Sequence, residues 1–151
     1  YAFMPIEYIY PDFMRLYYKL GVRGIRPQMP PVDGKYSKKY DKFPMAKLCW
    51  YGMWQTMYTF AEQSWNIKTD TEKLTEEINT LYYGKLAWEA GMRDFRKLLS
   101  KAFLETPGCY GHGHSSPLGR CLDRPGVHKQ LLAYLDAAEK AAAEKAAAKA
   151  E

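Results

Sequence analysis

The sequence predicts an all-α protein: an extended, non-globular set of helices including one short membrane-associated helix and one long amphipathic helix. Three observations carry that prediction. No alternation of apolar and polar residues with a period of two persists along the 151 residues. Apolar residues recur instead at three- and four-residue spacing, most regularly between residues 69 and 105. The C-terminal stretch is dominated by alanine, the strongest helix former.

The N-terminal segment, 1–43, is aromatic and basic. Asp12 after Pro11 suits the cap of a short helix that places Phe13, Leu16, Tyr17 and Leu20 on one face. Gly21 and Gly24 weaken its end, and "RPQMPPVDGKYS" reads as a Pro-rich strap. The first residue is Tyr1 and the first Met is Met4, so the chain does not start at an initiator; a truncated piece and a mature protein freed of a presequence both fit. No signal-peptide pattern is present, and no apolar run reaches the length of a membrane span.

A second helix follows over 44–65. It contains "LCWYGMWQTMYTFA", 14 residues without a charge, bounded by Lys47 and Glu62. Gly52, Gln55, Thr56 and Thr59 share one stripe, while Leu48, Trp50, Met53, Trp54, Met57 and Phe60 cover most of the rest. In a membrane, small and hydroxyl residues line helix contacts and large apolar ones face lipid. In a soluble bundle the same stripe faces water, which two Thr, one Gln and one Gly serve poorly. The expectation is therefore a membrane-embedded or interfacial helix, with Gly52, Gln55, Thr56 and Thr59 packing on a partner.

Charge supports that placement. Nine Lys and Arg lie between Arg15 and Lys47, against Asp33 and Asp41. A polybasic run leading into an apolar helix suits an anionic bilayer such as one rich in cardiolipin, with Lys38, Lys39, Lys42 and Lys47 as headgroup contacts. The positive flank belongs on the side of the membrane that retains positive charge. A basic stretch interleaved with Tyr also suits nucleic acid, but no RNA- or DNA-binding motif accompanies it.

The long amphipathic helix spans 69–105. Thr69 with Glu72 matches a capping box, and Arg96, Lys97 and Lys101 load the last turns. Leu74, Leu81, Trp88, Phe95 and Ala102 repeat every seven residues. Gly84, Ala87 and Gly91 form a smooth second edge where another backbone can approach, and so count as partner-packing positions. Residues 106–126 read as an irregular loop rich in Gly, Pro, Cys and His. Residues 127–151 read as an Ala-rich helix anchored only by Leu131, Leu132, Tyr134 and Leu135.

No constellation for catalysis stands out. Cys109, His112, His114 and Cys121 offer zinc-type ligands without zinc-type spacing. A Cys109–Cys121 disulfide suits an oxidising space, and a plain Gly-rich loop with free thiols remains the simplest reading. Glu72, Glu76 and Glu77 are explained by the dipole of the helix they open. The expectation is no enzyme, no metal and no cofactor.

The run "GKYSKKYDKFPMAKLCWYGMWQTMYTFAEQSW" (34–65) resembles the Tyr- and Lys-rich lead into a single membrane helix in the small f-type subunit of mitochondrial ATP synthase. The whole chain is similar, more loosely, to accessory subunits of protist mitochondrial inner-membrane complexes. That resemblance implies a non-catalytic subunit of the mitochondrial inner membrane that braces neighbouring subunits and contacts lipid. A respiratory-chain accessory subunit and a soluble RNA-associated mitoribosomal protein are the alternatives.

Overall fold

The computed structural model describes the backbone of residues 6–25, 45–107 and 117–148, and their side chains except at 45–53, 117–119 and 145. Every regular element among the described residues is helical. The chain divides into two compact units, Tyr1–Thr69 and Asp70–Glu151.

The first unit pairs α1 (Tyr10–Lys19) with α2 (Met45–Trp65). Helix α1 starts two residues before the expected cap. Ile9 occupies the cap position and Pro11 sits in the first turn, where its missing N–H costs nothing. Asp12 therefore lies inside the helix and accepts a bond from Arg15 at 3.1 Å. Gly21, at φ 78°, ends the element in the left-handed conformation that glycine adopts without a Cβ penalty. Pro11 and Met14 are the buried residues of α1. The Tyr10 ring meets Phe60 of α2 edge to face, with centroids 5.8 Å apart.

In the second unit the expected single helix is broken. Helix α3 (Thr71–Tyr83) is capped by Asp70, not Thr69: the Lys73 backbone N–H donates to the Asp70 carboxylate at 3.1 Å. Gly84 then takes φ 82° and ψ 145°, a conformation open essentially to glycine alone. Helix restarts there, the Trp88 N–H donating to the Gly84 carbonyl. It runs through α4 (Lys85–Ala87), a π-helical turn (Trp88–Met92) and α5 (Arg93–Leu104). The break explains why the seven-residue repeat does not form one seam: Trp88 and Ala102 are buried, whereas Leu81 is 85% exposed.

Part of the 106–126 stretch is also regular. Pro117–Leu122 forms a short helix, α6. Gly126, at φ 80°, then admits α7 (Val127–Ala147). Helix α7 buries Leu131 and Ala138 against α4, the π turn and α5. Trp88, Leu99, Ala102, Phe103 and Cys121 complete this unit's core. At its edge Arg124 donates to the Glu105 carboxylate at 3.0 Å, fixing the lead-in of α7 to the end of α5.

Candidate functional site

The side chains that distinguish this protein lie on the two helices of the first unit. Gln55, Thr59 and Gln63 recur every fourth residue on α2, with Thr56 beside them. All four are buried, and so is the Glu7 carboxyl just before α1. The Thr59 hydroxyl and the Gln63 amide find no hydrogen-bond partner among the described residues. The other side of α2 carries Tyr58 and Ala61, both exposed, and Trp65, which is 92% exposed. On this part of the helix four polar side chains are buried while Tyr58 and Trp65 are exposed, although Trp54 and Phe60 are half-buried.

Helix α1 has three faces, set by the 100° step between residues. Tyr10, Pro11 and Met14 turn toward α2. Phe13, Leu16, Tyr17 and Leu20 form an exposed apolar stripe. Asp12 and Lys19 border that stripe on one side, with Arg15 beyond them toward Pro11. The sequence places the four stripe residues on one face; the residues that α1 buries, Pro11 and Met14, lie off that face. Val22 and Ile25 extend the exposed apolar surface past the helix end.

The second unit holds a polar clasp that periodicity did not indicate. The Arg93 guanidinium donates to both Glu76 oxygens, Nε at 2.9 Å and Nη2 at 2.7 Å. The Trp88 indole N–H donates to the same carboxylate at 2.8 Å. Arg93 lies over the Trp88 ring at 5.7 Å, and Tyr83 stacks on its near-parallel plane. These groups fasten α3 to the π turn across the Gly84 break. The Arg93 hydrogen bonds are the main reason the Glu76 carboxyl sits below the usual carboxylate range; burial opposes them and the Trp88 bond assists. Glu76 thus acts through this pairing, not only through the dipole of its helix. Glu76 and Arg93 are 17 residues apart, a spacing without any local signal.

The other expected positions distribute unevenly. Lys38, Lys39 and Lys42 lie outside the described residues, as do Cys109, His112 and His114. Lys47 and Gly52 fall within α2, in the part whose side-chain surroundings are not described. Gly84 makes the turn and has open space around it. Ala87 and Gly91 are buried, and the backbone that approaches Gly91 is this chain's own: a Cβ there would run into the Tyr134 carbonyl and lie 3.2 Å from the Ala138 nitrogen. The Cys121 thiol is buried, which pushes its pKa up. Among the described residues no three His, Cys, Asp or Glu side chains gather as metal ligands. None of the helices searched is long and apolar enough to cross a membrane. No family model, curated protein or solved structure matches the chain.

Proposed function

We propose that the protein is a non-catalytic accessory subunit in the membrane region of an energy-converting complex, with mitochondrial ATP synthase the first assignment. The burial pattern of α2 supports this reading. It buries Gln55, Thr56, Thr59 and Gln63 while exposing Tyr58 and Trp65. In water, the Thr59 hydroxyl and the Gln63 amide, without a partner among the described residues, each cost about 1–3 kcal/mol, and the exposed rings forgo burial. Beside lipid or an apolar partner the second penalty disappears, and polar contacts between helices become the ordinary arrangement. At 21 residues the helix has the length but not the apolarity of a span, so we place α2 at the bilayer interface, against neighbouring subunits of the mitochondrial inner membrane. Its role is to brace those neighbours and contact anionic lipid such as cardiolipin.

Purification of the native assembly under mild detergent tests the reading. Co-migration with ATP synthase membrane subunits, and retention in membranes after an alkaline carbonate wash, are expected. Co-migration with respiratory-chain subunits would move the protein to that complex. Complete carbonate release together with salt-sensitive RNA binding would replace the reading with the mitoribosomal one.

A further inference from the structure

We propose that α1 is an in-plane lipid-binding helix, whose stripe Phe13, Leu16, Tyr17 and Leu20 enters the headgroup boundary of an anionic bilayer. This rests on the membrane reading above but concerns a different surface and a defined occupant. The four side chains are exposed while α1 buries Pro11 and Met14, so among the described residues the stripe takes no part in that packing. Such a stripe is common to lipid and protein docking; the charges beside it favour lipid. Lys19 borders it, and Arg23 follows the helix end. Asp12 offsets Arg15 by their ion pair, whereas Lys19 and Arg23 have no ion-pair partner among the described residues. Protein interface cores are depleted in Lys, while an interfacial helix uses it to reach phosphates from an apolar bed. Tyr17, with an apolar ring and a polar tip, suits headgroup depth.

Two uncompensated cations, each worth about fivefold near an anionic surface, contribute about 25-fold to the preference for anionic vesicles. Flotation of the full chain should show at least that much tighter binding to phosphatidylcholine vesicles containing phosphatidylglycerol than to phosphatidylcholine alone, because the lysines of the 34–47 segment add to it. The double variant Lys19→Gln, Arg23→Gln should lower the native ratio roughly 25-fold. A second measurement does not depend on these variants folding. A benzophenone amino acid replacing Phe13 in the full chain, irradiated in native membranes, should yield phospholipid adducts. Equal binding to both vesicle types, a ratio unchanged in the double variant, or adducts to protein only, would overturn the proposal. Protein adducts from chains that still co-migrate with a membrane complex would remove the lipid assignment alone. Loss of co-migration and carbonate retention would remove the accessory-subunit reading itself.

Discussion

Gly91 and Glu76 carry most of what single residues decide in the second unit. At Gly91 a methyl group would meet backbone, the Tyr134 carbonyl, which cannot swing aside as a side chain can. Gly91→Ala gains about 1 kcal/mol of helix propensity and loses about 2–3 to the forced separation of α7. A net fall of several degrees in Tm is expected by calorimetry; an unchanged or higher Tm would mean that α7 is not seated there. Glu76 makes a pH-dependent contribution. Its carboxyl is held below the usual range in the folded state, so its stabilisation is complete above the ordinary Glu value of about 4.3 and is lost as pH falls through the lower folded value. The pair is partly exposed, so Glu76→Gln should cost only about 1 kcal/mol at neutral pH, and less in high salt. Urea midpoints measured from neutral to acid pH should show a flatter acid limb in the variant.

At the scale of elements, helix identity was readable from sequence but helix ends and interruptions were less so. The 44–65 and 127–151 helices follow from an uncharged run after Pro44 and from alanine content. Asp70 displaced Thr69 as cap because either side chain can accept the same kind of bond, and only backbone geometry chooses. Gly84 looked like part of a smooth edge because a glycine in an amphipathic repeat gives no sign of its φ. Helix α7 illustrates how unevenly an element contributes. Leu131 is buried, whereas most side chains described beyond Ala138 are exposed. Leu131→Ala should therefore cost about 2–4 kcal/mol. Truncation after Lys140 should change the unfolding midpoint by no more than about 0.5 kcal/mol. A large loss on truncation would place a partner contact within this chain's Ala-rich end.

For the whole molecule, the exposed apolar residues are the governing quantity. Phe13, Leu16, Leu20, Trp65, Leu81, Tyr82 and Leu86 are all exposed, spread over both units. Surfaces of that kind on an isolated chain associate. The purified protein in plain buffer is expected to be polydisperse in analytical ultracentrifugation, and to become discrete on addition of mild detergent or its native partners. A monodisperse monomer with one cooperative unfolding transition in plain buffer would contradict this.

The sequence by itself determined that the described residues are helical and roughly where the longer helices lie, though not the helix Pro117–Leu122 or the break at Gly84. Propensity, capping residues and glycine breaks act over a few residues, and the information is local. It also set out the unusual α2 stripe, because residues four apart share a face in any α-helix. Tertiary structure decided which faces turn inward. Gln63 joins the buried stripe of α2, Phe13 and Leu16 stay outside, and Glu76 finds Arg93 across a turn that only Gly84 permits. These outcomes depend on groups brought together from distant positions. Periodicity identifies a face; what covers that face depends on the energy of packing it against the rest of the unit.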